Sequence, residues 1–246
     1  MKRLNYLIVC IIVYTMILVS CEKTSTIDQT NLNSGFNVTE RTSLISPANP
    51  LNQYDYVGQT HNRELMHFID SILPKPPIED TIIYNRFYVQ GMPSYVELVE
   101  LLSQREYDPT NYTPLMAQLY RENSVLFPYL NNVNSIVNGN YTLQQKIDAL
   151  KYYENSINYS IFTANQTMAL KAAISVARYS SVLWASQGEG GLGYNDIKIE
   201  SRDINPIVSE DIWGTLAGAW FTANPLTAIA GGIVSSGVYW YRNRVD

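Results

Sequence analysis

The chain has 246 residues, a formal net charge of −5 and only 16% charged residues. Nucleic-acid binding depends on Lys and Arg that neutralise phosphates, and no Lys/Arg cluster follows the first three residues, so the composition excludes a nucleic-acid partner. The 19 tyrosines and many asparagines indicate a neutral exported surface, or one that contacts an envelope protein or a glycan.

The N-terminus has the layout of a secretory signal peptide. Lys2 and Arg3 precede an uncharged run from Leu4 to Ser20. The end of this run, Leu18-Val19-Ser20-Cys21, resembles the lipobox of bacterial lipoproteins. The resemblance implies cleavage before Cys21 and a lipid such as palmitate on its sulfur. The alternative is an uncleaved membrane anchor, although about 17 apolar residues lie at the short end for a bilayer.

Removal of a signal peptide would change both the charge and the cysteine count. Lys2 and Arg3 would be lost, which takes the net charge from −5 to −7. Cys10 would also be lost and Cys21 acylated, so the mature protein would have neither a free thiol nor a disulfide. We expect four segments: a cleaved signal peptide (1–20), the lipidated Cys21 with a flexible polar tether (21–49), a helical domain (50–207) and an apolar C-terminal helical segment packed on it (208–246).

Helix signals accumulate after Pro50, and no strand–helix alternation occurs, so we predict a mainly α fold. Three segments carry the S/T-x-x-E/Q pattern of a capping box, each followed by apolar residues at helical spacing. The segment from His61 to Leu73 also indicates a helix, whereas Asp80 to Val89 (DTIIYNRFYV) favours a strand or an extended arm. The expected helix starts are Ser94, Thr113-Pro114, Thr142, Thr163 and Ser209, with Gly188 ending the helix that Thr163 begins.

The C-terminal segment has no formally charged side chain from Ile212 to Tyr241. Asn224-Pro225 interrupts it, because proline lacks the amide donor and clashes with the preceding helical turn. Gly214 and Gly218 form a small-residue face before the interruption, and Gly231 with Ser235 forms another after it. The pattern predicts a Gly/Ala-rich helical hairpin, which is either the buried centre of the domain or an element that inserts in lipid; we favour the centre.

No pattern in the chain predicts a catalytic, cofactor-binding or metal-binding residue. His61, Glu64 and His67 are candidate zinc ligands, but six residues on a helix place the two histidines about 120° apart. A zinc-protease motif instead needs histidines at i and i+4. Gly188-Glu-Gly190-Gly-Leu-Gly193 follows a helix rather than a strand, so it favours a helix end and a flexible loop over a dinucleotide site. A G-x-S-x-G nucleophile elbow is absent.

One segment carries a family resemblance. Asn52-Gln-Tyr54-Asp55-Tyr-Val-Gly58-Gln-Thr-His61-Asn62 resembles N-P-Y-D-x-x-G-x-x-H-N, a segment of uncharacterised exported proteins of the Bacteroidota, with Gln53 in place of proline. These proteins often end in a Gly/Ala-rich segment that opens with an acid, and Asp211-Ile-Trp-Gly214-Thr-Leu-Ala-Gly218 is similar. The resemblance implies no particular activity. Ser71 and Thr81, each between Asp and Ile, also resemble the O-glycosylation signal of that phylum.

Together these features predict a non-catalytic lipoprotein of the bacterial cell envelope, anchored in the outer membrane by the lipid on Cys21. Its role would be binding or structural, with an envelope protein or a glycan as the partner and no cofactor. One alternative is a membrane-acting effector that inserts its apolar C-terminal segment. The other is an envelope enzyme of a kind that no motif reveals.

Overall fold

Helices account for the regular structure of this protein. The computed structural model describes residues 45–72, 79–90, 92–98, 114–194 and 205–243, which are 79% helical and contain no strand. The predicted mainly α fold is therefore confirmed. The main helices are α1 (Asp55–Ile72), α2 (Asp80–Phe87), α3 (Pro114–Asn123), α4 (Phe127–Asn138), α5 (Leu143–Ser156), α6 (Ala164–Trp184), α7 (Asn205–Thr222) and α8 (Pro225–Asn243).

Helix α6 is the central element of the fold. Its residues from Met168 to Trp184 are buried on almost every side, apart from Lys171 and Tyr179, which are partly exposed. A helix that is apolar around its whole circumference belongs in a core rather than at a surface. Helices α1, α5 and α7 all pack on α6.

The predicted capping boxes fix the starts of several helices. Thr142 Oγ1 accepts a hydrogen bond from the Gln145 amide at 3.3 Å, and the Gln145 side chain accepts one from the Thr142 amide at 3.0 Å. Thr163 and Gln166 repeat this pair of bonds at the start of α6, and so do Ser94 and Glu97. Each box satisfies amides that have no partner within the helix, so these starts are set by local sequence.

One predicted type of secondary structure and two predicted helix boundaries are wrong. The segment from Asp80 forms helix α2 rather than a strand, because Ile83 and Tyr84 bury one helical face while Asp80 and Arg86 complement the helix dipole. Helix α7 begins at Asn205, four residues before Ser209, with a proline in its first turn. Helix α6 ends at Trp184, four residues before Gly188.

The loop after α6 is tied back to that helix. The Leu192 amide donates to the Val182 carbonyl at 2.9 Å, and the Gly193 amide donates to the Ala185 carbonyl at 2.8 Å. The structure has a loop at Gly188–Gly193, as the sequence predicts. These bonds hold the loop against α6, so the description of it as flexible is not supported.

Helices α7 and α8 pack closely against each other, as the predicted hairpin requires. Ala223 and Asn224 separate them, and Asn224 Oδ1 accepts the Leu226 amide at 2.9 Å at the start of α8. A Cβ atom at Gly214 would overlap the Gly231 carbonyl oxygen, and one at Gly218 would overlap the Thr227 carbonyl oxygen. We call the contact made by Gly214, Gly218, Thr227 and Gly231 the glycine interface.

Most of the apolar C-terminal segment is buried within the helical fold. Ile212, Leu216, Ala228, Ile233 and Trp240 all belong to the core, where α7 contacts α6 and α8 contacts α1. Among the helices that the structure describes, none combines the length and the apolar character needed to cross a membrane. The predicted signal peptide and the predicted lipidation residue Cys21 lie outside the described residues.

Candidate functional site

The motif-bearing face of α1 forms a buried polar contact with three other helices. Asp55, Gly58, His61 and Asn62 recur at intervals of three or four residues, so they share one face of the helix. We call their contact the polar interface. Its members are Asn49, Asn52, Asp55, Gly58, His61 and Asn62 on one side and Glu154 of α5, Ser175, Arg178, Tyr179, Ser180 and Trp184 of α6 and Asp211 of α7 on the other.

Arg178 is the fully buried cation of this interface. One Nη lies 2.6 Å from Asp55 Oδ1 and 3.2 Å from Glu154 Oε2, and the other donates to the Pro47 carbonyl. A buried charge is tolerated only when it is paired and hydrogen-bonded. Arg178 therefore joins the start of α1 and the segment before it to α5 and α6.

Two asparagines complete the surroundings of Glu154. The Asn49 amide donates to Glu154 Oε2 at 2.5 Å, and the Asn52 amide donates to Oε1 at 2.6 Å and to the Lys171 carbonyl at 2.9 Å. Burial raises the pKa of Glu154, and it outweighs the Arg178 charge and the two amide donors, which lower it. The carboxyl group is thus held by donors that also fix the chain before α1.

Gly58 lets α1 approach α6 at backbone distance. Its amide donates to Ser175 Oγ at 3.2 Å, and Ser175 Oγ donates to the Asp55 carbonyl at 2.9 Å. A Cβ atom at position 58 would lie 2.6 Å from the Ser175 carbonyl oxygen, which is closer than such atoms approach. The glycine of the motif is therefore required by helix packing.

His61 and Asp211 connect the two segments that carry the family resemblance. His61 Nε2 lies 2.9 Å from Asp211 Oδ1, and both side chains are fully buried. The two atoms lack the alignment of a hydrogen bond, and the contact is an ion pair only when the ring is protonated. Ser180 Oγ also donates to Asp211 Oδ2, as does Trp184 Nε1 at 3.1 Å.

Ser180, His61 and Asp211 are not arranged as a catalytic triad. In a triad the histidine lies between the serine and the acid, so that it can take the serine proton. Here the aspartate lies between the serine and the histidine. All three side chains are also fully buried, so none of them meets a substrate in this structure.

The other candidate residues lie apart from this interface. His67 is exposed while His61 is buried, as their angular offset predicts, and Glu64 is partly exposed and pairs with Arg63. Within the described ranges, no three His, Cys, Asp or Glu side chains are placed to hold a metal ion. Ser71 Oγ donates to the Phe68 carbonyl at 2.7 Å, whereas Thr81 is exposed on α2.

The sequence indicates only part of the polar interface. The motif marks Asn52, Asp55, Gly58, His61 and Asn62, and Asp211 opens the apolar C-terminal segment, but no pattern marks Arg178 or Glu154. The available signal was Arg178 itself, which with Lys171 is one of two cations in the mostly apolar α6. No family model, curated protein or solved structure matches the chain.

Proposed function

We propose that this protein is anchored by a lipid in the outer membrane of a bacterial cell envelope. In this proposal it binds or supports a partner and catalyses no reaction. The observation that carries the proposal is that the side chains of the polar interface contact one another within the fold. Among its ionisable side chains, Arg178 pairs with Glu154 and with Asp55, which is 18% exposed, and His61 contacts Asp211. Structural ion-pair networks also perturb pKa values, so such groups do not by themselves mark an active site.

The exposed surface supports a binding role. Tyr152 is 80% exposed, and Tyr56, Tyr88 and Tyr141 are each about half exposed. No charged residue occurs from 123 to 145, and α4 within this range presents several asparagines to solvent. Aromatic rings with one polar end are typical of contact surfaces, so we favour an uncharged region of an envelope protein or a glycan as the partner.

The membrane connection rests on Cys21. The Leu18-Val19-Ser20-Cys21 sequence follows an uncharged run with a basic start, as lipid attachment requires. Acyl chains contribute about 0.8 kcal/mol for each buried CH₂ group, so a multiply acylated N-terminus anchors a protein stably. The burial of α7 and α8 gives less support to the alternative of a C-terminal segment that inserts in lipid.

Lipidation is tested by metabolic labelling with a palmitate analogue in cells that express the protein. We expect label on the wild-type protein and on a Cys10→Ser variant, which keeps its lipidation residue, but not on Cys21→Ser. Fractionation should then place the wild type and Cys10→Ser in the membrane pool. If Cys21→Ser stays in that pool with normal signal cleavage, the lipid anchor is wrong.

The binding role is tested by crosslinking on intact cells followed by capture of the acylated protein. A Tyr152→Ala variant changes the most exposed of the described tyrosines without touching the core, and Ile161→Ala, at a position that is 56% exposed, is the control. A partner that is recovered with wild type and Ile161→Ala but reduced with Tyr152→Ala supports the proposal. Recovery of no envelope protein or glycan above background contradicts it.

A further inference from the structure

His61 has hydrogen-bond acceptors at both of its ring nitrogens. Nε2 lies 2.9 Å from the Asp211 carboxylate, and Nδ1 lies 3.2 Å from Asn62 Oδ1. The ring is fully buried between α1, α7 and α8, since a Cβ atom at Gly232 would lie 2.9 Å from His61 Cδ2. The ring is not exposed to solvent, so water does not replace these acceptors as a hydrogen-bond partner of either nitrogen.

The orientation of the Asn62 amide is fixed independently of the histidine. Asn62 Nδ2 donates to the Tyr179 carbonyl at 2.6 Å, and the reverse orientation would place two oxygen atoms against each other. Asn62 Oδ1 must therefore face His61 Nδ1. Because an amide oxygen only accepts hydrogen bonds, Nδ1 has to carry a proton.

We propose that His61 is an imidazolium in the native protein at neutral pH, protonated on both nitrogens, and that it locks α1 to α7 through its ion pair with Asp211. A carboxylate at Nε2 and an amide oxygen at Nδ1 leave no lone pair on the ring exposed. Metal binding and general-base catalysis both need such a lone pair, so this histidine serves neither. The lock joins α1 to α7, and the sequence alone does not reveal that these two segments are paired.

The electrostatic surroundings agree with this assignment. Burial by itself lowers the pKa of His61, but the Asp211 charge and the contacts with Asp211, Asn62 and the Gly232 carbonyl outweigh it and raise the pKa. Asp211 on α7 is the charged group that acts on the ring; α8 contributes the Gly232 carbonyl, and α6 contributes the Tyr179 carbonyl through Asn62.

The raised pKa determines the pH range of the lock. An unfolded histidine titrates near 6.5, and folding raises this value, so the folded state binds the proton more tightly. The stabilisation is complete below about pH 6.5 and is lost as the pH rises through the pKa of the folded state. The lock therefore opens on the alkaline side of that pKa.

The experiment is ¹⁵N NMR of the two histidine rings. The protein is expressed without residues 1–20 and with Cys21→Ser. His61 and His67 are the two histidines of the sequence, and the exposed His67 provides the solvent-accessible reference. At about pH 7 we expect both ring nitrogens of His61 to be protonated and its titration midpoint to lie above the value of about 6.5 for a free imidazole. A neutral tautomer of His61 at that pH would overturn the proposal.

A second variant separates the ion pair from the packing around it. Asp211→Asn keeps the side-chain shape and removes the charge, so His61 should lose its second ring proton at neutral pH. Asp148→Asn, an exposed acid on α5, is the control and should leave the His61 signals unchanged. A His61 titration that is the same in Asp211→Asn and wild type would overturn the assignment to this pair. If Asp211→Asn does not fold, the wild-type titration decides alone.

Discussion

The polar interface and the glycine interface hold helices together by opposite means. In the polar interface, charged and amide side chains from four helices meet in directional contacts, with Arg178 and His61 as the cations. In the glycine interface, α7 and α8 meet through backbone atoms, because glycines at 214, 218 and 231 carry no side chains to separate them. Removing a polar partner therefore leaves a group unpaired, whereas adding a methyl group to a glycine forces two backbones apart.

The two interfaces share helix α7 and touch each other. Asp211, Gly214 and Gly218 lie on one side of this helix, at successive turns. Gly232 of α8 lies against both His61 and the Asp211 carbonyl oxygen, so α8 reaches the edge of the polar interface. The directional contacts determine which helices are neighbours, and the glycines determine how closely the last two approach.

The largest expected effect comes from Arg178→Met. Methionine fills a similar length of side chain but leaves the buried Glu154 and the partly exposed Asp55 without their cation. Loss of one member of a buried ion pair costs about 3–5 kcal/mol of unfolding free energy. The matched control is Arg63→Met, whose side chain is half exposed and pairs only with the partly exposed Glu64, and it should change stability by about 0.5 kcal/mol or less.

Chemical denaturation of both variants gives this comparison. If Arg178→Met loses about as little unfolding free energy as Arg63→Met, the ion pairs of Arg178 contribute little to stability. The polar interface would then not depend on paired charges. Since whole domains are stable by about 5–15 kcal/mol, the expected loss of about 3–5 kcal/mol should leave about half or more of Arg178→Met folded in the absence of denaturant.

The sequence predicts the parts of this fold that depend on local chemistry. The boxes at Thr142 and Thr163 join residues three apart, so both ends of each interaction are visible in the sequence. The small-residue faces at Gly214 and Gly231 are equally visible, and they do meet. Helix α2 was mispredicted because its β-branched residues favour a strand, whereas burial of Ile83 and Tyr84 decides for a helix.

The polar interface could be predicted only in part. The spacing of Asp55, Gly58 and His61 shows that they share a helical face, but their partners lie more than 100 residues away in the chain. A sequence without its fold does not reveal which acid faces His61. The end of α6 was missed for a similar reason, since it depends on contacts made after folding, such as the loop bonds to Val182 and Ala185.

Gly218→Ala should have the next largest effect. Its Cβ atom would overlap the Thr227 carbonyl oxygen, a backbone atom that moves only if α7 and α8 separate. Overpacking of this kind costs about 1–3 kcal/mol, and the better helix propensity of alanine offsets about 0.5–1 kcal/mol of that. Gly188→Ala is the control, because position 188 is exposed and a Cβ atom there meets open space.

Thermal unfolding of the two glycine variants provides the measurement. We expect a lower melting temperature for Gly218→Ala and an unchanged one for Gly188→Ala. Equal melting temperatures would mean that the two helices have room to separate, and the glycines would then not determine their distance.

Ser175→Ala is the most local test of the polar interface, and its effect should be smaller than that of Arg178→Met. Its hydroxyl accepts from the Gly58 amide and donates to the Asp55 carbonyl, so alanine removes two neutral hydrogen bonds between α1 and α6 and leaves every charge paired. Neutral bonds contribute about 0.5–1.5 kcal/mol each, and the loss should stay below that of Arg178→Met. Ser135→Ala, at an exposed position on α4, is the control.

Amide hydrogen exchange distinguishes this mechanism from a general loss of stability, because the Gly58 amide should lose more protection than the other amides of α1. Uniform loss across α1, or unchanged protection at Gly58, would show that the hydroxyl does not hold the two helices together.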